Sequence, residues 1–148
     1  MNGRVREAWA ATKVHVWPGR YRLVSLPVAR LAEAAAALAE GTGYGALVVE
    51  RDEVSLTLDE QRWARHPLRP AARSEAGPYR AVTLDVNLDL GLTGYLAPAA
   101  ARLAQAGVSI LPQCAFLKDH LLVREEDVAR AAEVLEGLVD EAKGLPLR

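Results

Sequence analysis

Three histidines, one cysteine and a scatter of aspartates are the side chains here best suited to chemistry. His15, His66 and His120 lie far apart in the chain, and none falls in a spacing such as HxxxH that would aim two imidazoles at one metal ion. Cys114 is the single cysteine, which excludes an internal disulfide and a cysteine-rich zinc site and leaves the reading of a small apolar core or pocket residue. No GxSxG, P-loop or CxxC pattern occurs. Asp85, Asp89, Asp119 and His120 would make a composite acid and base only if the fold gathered them. A different kind of site is offered by Gly91-Leu92-Thr93-Gly94, which leads into an apolar helical stretch. The first amides of a helix have no partner within it, and glycine lets another molecule approach the backbone. The plain alternatives are a tight strand-to-helix turn for the glycines and solvated turn positions for the aspartates.

The elements that must position these residues are legible around them. Residues 79–88 alternate Val82, Leu84, Val86 and Leu88 with Thr83, Asp85 and Asn87, the period of a half-buried strand. Leu96, Ala99, Ala100 and Leu103 then share one helical face, and Gly107 ends that helix. Two strands follow, 108–113 and 120–124, joined by a polar turn. Glu125, Glu126 and Asp127 favour the positive start of a last helix that buries Val128, Ala131, Ala132, Leu135, Leu138 and Val139.

The first half repeats this order in a more eroded form. Tyr21 to Leu26 reads as a strand, and Pro27 opens a helix with Val28, Leu31, Ala32, Ala35, Leu38 and Ala39 as its inner face. Gly41, Gly43 and Gly45 precede a hairpin of residues 46–50 and 54–58, and Asp59 caps a helical turn through Arg65. The predicted fold is α+β and ferredoxin-like: two tandem βαββαβ units with antiparallel sheets and helices on one face, residues 17–75 and 76–148, divided near Gly77 and Pro78. Residues 1–16 are compatible with either an N-terminal helix or an added strand.

Composition narrows the function classes. Hydrophobic residues make up 51% of the 148 and aromatics only 5%, so cores of small aliphatic side chains are expected. A net charge of −1 argues against general attraction to nucleic acid or anionic membrane. No apolar run approaches the length of a membrane span and the N-terminus lacks a signal-peptide core, so a cytoplasmic protein is expected. The segment 61–73, with Arg62, Trp63, Arg65, His66, Arg69 and Arg73, offers a docking surface for nucleic acid or protein, or else a solvated connector anchored by Trp63.

Three stretches, 50–58, 91–110 and 119–131, resemble in order and spacing the acidic turn and strand, the glycine-led helix and strand, and the acid-led strand and final helix of the ACT domain superfamily. Over roughly residues 20–140 the chain is similar to tandem ACT proteins of the amino-acid-sensor type. The resemblance implies a regulatory module, without catalysis, cofactor or metal, which binds a small ligand, usually an amino acid, at an interface between ACT units or between two chains and acts through a partner protein. A homodimer is expected because two small units leave sheet edges and apolar helix faces for a second chain to cover. The resemblance places the ligand at Asp89, Gly91, Leu92, Thr93, Gly94, Cys114, Ala115, Phe116 and Asp119. There amides and the Thr93 hydroxyl would meet a carboxylate, Asp89, Asp119 or the carbonyls along Gln113 to Phe116 an ammonium, and Phe116 and Leu117 the ligand side chain. This chain departs from the family pattern at Cys114 and Ala115, where a hydroxyl residue is usual, and at His120, where an aromatic is common.

Overall fold

A computed structural model describes residues 1–145. The elements, in chain order, are α1 (Gly3–Ala11), β1 (Lys13–Val16), β2 (Tyr21–Leu26), α2 (Leu31–Ala39), β3 (Ala46–Val49), β4 (Val54–Asp59), α3 (Glu60–Ala64), β5 (Ser74–Asp85), α4 (Ala97–Gln105), β6 (Ile110–Cys114), β7 (Asp119–Arg124) and α5 (Val128–Lys143). They form two compact units, Trp17–Ala81 and a discontinuous one in which Met1–Val16 joins the chain from Val82 onward.

The continuous unit is a complete βαββαβ motif with strand order β3-β4-β2-β5. Its core joins Val24 and Leu26 of β2, Leu56 and Leu58 of β4, Ala34 and Ala37 of α2, and Trp63. The Asp59 carboxylate accepts the Arg62 amide at 3.0 Å and so starts α3 as the sequence indicates. The inner face of α2 differs from expectation. Ala34 and Ala37 are buried, whereas Val28, Leu31, Ala32 and Ala35 are exposed and Leu38 is half-buried. Every residue of α2 except Glu33 is Ala or Leu, so periodicity carried almost no contrast from which to choose a face.

Gly77 and Pro78, which read as a division between units, lie inside β5. The ladder steps from Tyr21 opposite Tyr79 to Leu23 opposite Ala76, so these two residues form a bulge across from Arg22. Gly77 takes φ 130°, a conformation that suits glycine. A Gly-Pro pair thus interrupts the ladder without ending the strand.

The discontinuous unit has strand order β1-β5-β7-β6. The position that a fourth strand would take after α5 is filled by β1, whose His15 pairs with Thr83 and Val16 with Val82. Residues 1–16 therefore supply both a helix and a strand. Val82, Leu84, Leu121 and Val123 pack against Ala99 and Leu103 of α4, Leu135 and Leu138 of α5, and Val5 and Trp9 of α1. Thr83, expected on a solvated face, is buried because β5 is central in this sheet, with β1 and β7 on either side. Its hydroxyl lies 2.8 Å from His120 Nδ1. No helix among the described residues is long and apolar enough to cross a membrane.

Candidate functional site

A cleft of about 350 Å³ opens in the discontinuous unit between the 86–96 loop and the turn joining β6 to β7. The Leu88 amide donates to the Leu117 carbonyl at 2.9 Å, which ties the two walls together. Of the residues nominated from sequence, Asp89, Leu92, Gly94, Cys114, Ala115, Phe116 and Asp119 line this cleft. Gly91 and Thr93 do not; with Leu92 they border a separate opening beside Asn2, Gly3 and Arg4 of the N-terminus. The Gly91 amide is also already engaged, donating to Asp89 Oδ1 at 2.9 Å.

The two nominated carboxylates differ in role. Asp89 closes its own turn through Gly91, and Oδ2 accepts from Arg4 Nη2 at 2.8 Å. The Gly91 amide first, and then Arg4, hold its carboxyl below the usual aspartate range. Asp119 begins β7 opposite Cys114 at the end of β6. Its carboxylate accepts from the Cys114 thiol, and that bond, more than burial, pushes the thiol pKa up. Cys114 is exposed and not in the core; of the two readings offered by the sequence it takes that of a pocket residue, ending a sheet-edge strand where it borders the cleft. A thiol with a raised pKa is also a poor nucleophile at neutral pH.

Leu117, expected beside Phe116 against the ligand side chain, also lines the cleft. Residues that sequence reasoning did not place at the site complete it: Leu88, Leu90 and Leu96 supply apolar walls, Lys118 a cation and Ala97 the first residue of α4. No side chain caps that helix, and Pro98 follows at its second position. Tyr95 lies behind the cleft and is buried. Its ring stacks on Trp9 of α1 at 4.8 Å and 15°, and the Trp9 indole N–H donates to its carbonyl at 2.8 Å. The Thr12 hydroxyl donates to Ala8 O at 2.8 Å, so in the 2.7 Å pair with Thr12 the Tyr95 hydroxyl is the donor. Burial pushes the Tyr95 phenol up to about 12. The signal that could have found this residue is an aromatic next to Gly94, whose φ of 88° marks a turn that aims the following side chain inward.

The acid and base imagined from Asp85, Asp89, Asp119 and His120 is dispersed among other partners. Lys118 donates to Asp85 and holds its carboxyl low, and Asp89 is held as described. His120 sits against Thr83, and burial lowers its pKa. Among the described residues, no group of three or more His, Cys, Asp or Glu side chains could hold a metal ion.

Most of the Arg-rich segment is engaged within its own unit. Trp63 is 1% exposed and cannot stack on a base. Arg62 donates to the Ala37 carbonyl, Arg69 pairs with Glu75 at 3.0 Å, and Arg73 donates to Asp52 O at 2.8 Å. Arg65 is exposed, so three of the four arginines of the segment are held by partners in their own unit.

A sequence model of the ACT domain family matches residues 76–137. Comparison with curated proteins gives no match. Among solved structures, a Vibrio cholerae protein of unknown function, a possible transport protein, superposes with TM-score 0.73 at 18% identity, over 91% of this chain and 95% of that one. An Agrobacterium tumefaciens protein gives TM-score 0.67 at 25% identity, over 86% and 89%. The ligand-free regulatory subunit of aspartate kinase from Thermus thermophilus gives 0.58 at 13% identity, over 85% and 97%.

Proposed function

With residues 76–137 belonging to the ACT domain superfamily, we propose that this chain is a small-ligand sensor that binds a free amino acid in the cleft of its discontinuous unit and regulates a partner protein without chemistry of its own. The observation that carries the proposal is the cleft itself. It brings the uncapped start of α4 and the Asp119 carboxylate to the lining of one small cavity. A free amino acid presents a carboxylate and an ammonium on adjacent atoms, which suits the Ala97 amide at the helix start on one side and an acceptor on the other; Pro98 has no N–H and the Ala100 amide donates to the Leu96 carbonyl. The engagement of Asp85, Asp89 and His120 with other groups supports a non-catalytic role.

The ligand would act by preferring one arrangement of the protein, and the resulting shift is bounded by that preference. We assign the working form as a homodimer. Support comes from β3 and β6, outermost strands whose free edges can accept a second chain, and from the exposed apolar side of α2 with Val28 and Leu31. We place the protein in the cytoplasm, whose pool of free amino acids such a sensor would read.

A thermal-shift screen of the full chain against the twenty amino acids tests the proposal, because binding to the folded state raises the midpoint by mass action. At least one is expected to raise it, with the shift abolished by Asp119→Ala and kept in Arg69→Ala. No shift with any of them at millimolar concentration refutes the amino-acid assignment.

A further inference from the structure

We propose that the amino acid bound in this cleft carries an apolar side chain of the size of leucine or phenylalanine, a specificity that rests on the cleft being an amino-acid site. The two most exposed large apolar residues among those described, Phe116 at 76% and Leu90 at 73%, come from separate segments and meet at this cleft together with the exposed Leu117. Scattered exposed apolar residues need no explanation, but several converging on one small concavity mark a recognition surface. The hydrogen bond from Leu88 to Leu117 fixes the two segments together, so the apolar rim is held in place before ligand arrives. Leu92 and Leu96 continue the same surface inward.

The charged groups point to the same ligand class. Asp89 accepts from Arg4 and from the Gly91 amide, and Lys118 is paired with Asp85. A lysine or arginine side chain in the cleft would have to compete with Arg4 for Asp89, and an aspartate side chain would have to compete with Asp85 for Lys118. Asp119 accepts from the Cys114 thiol, a weak donor that leaves lone pairs for an ammonium. With the backbone of the ligand met by Asp119 and the Ala97 amide that opens α4, the remaining surface available to its side chain is apolar. The volume of about 350 Å³ lies at the small end of ligand pockets, which run from roughly 300 to 1,000 Å³. It suits a single amino acid and not a peptide.

Each buried methylene contributes about 0.8 kcal/mol, and a tenfold change in affinity corresponds to about 1.4 kcal/mol. L-Leucine, with three more carbons than L-alanine, is therefore expected to bind about fiftyfold more tightly. Isothermal titration of the full chain with L-alanine, L-valine, L-leucine, L-phenylalanine, L-aspartate and L-lysine reads this directly. Affinity should climb from alanine to leucine, and aspartate and lysine should bind at least tenfold more weakly than leucine. Phe116→Ser and Leu90→Ser, both at exposed positions that folding does not depend on, should lower leucine affinity while sparing alanine. If aspartate or lysine binds tightest, or if the alanine-to-leucine series is flat, the apolar assignment falls and the amino-acid site stands. If none of the six binds and the twenty-member thermal screen is also silent, the site itself falls and the assignment with it. If the two serine variants change the molecular mass in solution and leave leucine binding intact, the rim is an interface between copies and the assignment is overturned.

Discussion

Removing the Trp9 indole should cost this protein a large part of its stability, because one side chain joins the N-terminal helix to the wall of the cleft. Trp9 is fully buried, stacks on Tyr95 and donates its N–H to the Tyr95 carbonyl at 2.8 Å. Truncation of a buried Trp to Ala costs about 3–5 kcal/mol when the cavity collapses only partly. Here the surroundings have little freedom to close. The indole is held between α1 and the loop entering α4, and its loss leaves a buried carbonyl without its donor, itself a penalty of about 1–3 kcal/mol. The upper end of the range is therefore expected, about 4–5 kcal/mol against a total that is about 5–15 kcal/mol for an ordinary domain.

Trp9→Phe separates the parts. It keeps an aromatic ring for the stack, worth about 0.5–1.5 kcal/mol, and loses the hydrogen bond and part of the volume, so about 2 kcal/mol is expected. Urea unfolding followed by circular dichroism gives both values, with an unchanged slope showing that stability alone has moved. Hydrogen exchange should speed up in α1 and in residues 89–96 in the same variants, since these are the segments Trp9 connects. A cost below about 1 kcal/mol for Trp9→Ala, with unaltered exchange in 89–96, would refute the packing of α1 on this loop.

Other consequences are smaller and separable. Asp59→Ala removes the side-chain cap of α3 and should cost about 1 kcal/mol in the same urea assay, while Asp59→Asn, which keeps an acceptor, should cost a few tenths. Gly94→Ala meets no neighbour within 4 Å but must hold φ 88°, so it should cost about 1–2 kcal/mol through backbone strain alone. His120 has its pKa lowered by burial, so the folded state resists protonation that the unfolded state accepts. Its contribution is present above the unfolded value of about 6.5 and is lost as pH falls from there through the folded value. His120→Gln should flatten that part of the stability–pH curve, and an unchanged slope would show that His120 is not its source.

Much of the fold was legible because its signals are local. The strand 120–124, the last helix with Ala131, Leu135 and Leu138 inward, and the Asp59 cap all depend on residues close in sequence, and each formed as its pattern indicates. The inner face of α2 was not legible, since a helix of alanines and leucines looks alike from every side. Gly77-Pro78 misled for a related reason. A breaker pair specifies a local backbone irregularity, and only the partner strand decides whether that is a turn or a bulge.

The candidate site shows where a linear reading must stop. Asp89, Gly94 and Phe116 could be nominated because turns and their neighbours advertise themselves by composition, and the structure draws these three to one cleft. What the turn could not reveal is that its own donors and acceptors satisfy one another: Gly91 spends its amide on Asp89, and Asp89 spends its other oxygen on Arg4, 85 residues away in sequence. Tyr95 was invisible for the same reason, because its importance comes from Trp9 and Thr12 at the far end of the chain. The N-terminal segment is thus a structural part of the unit that holds the cleft, completing its sheet with β1 and bracing the cleft loop with α1. A ligand that moves the 89–96 loop must also move, or be resisted by, the packing of Trp9.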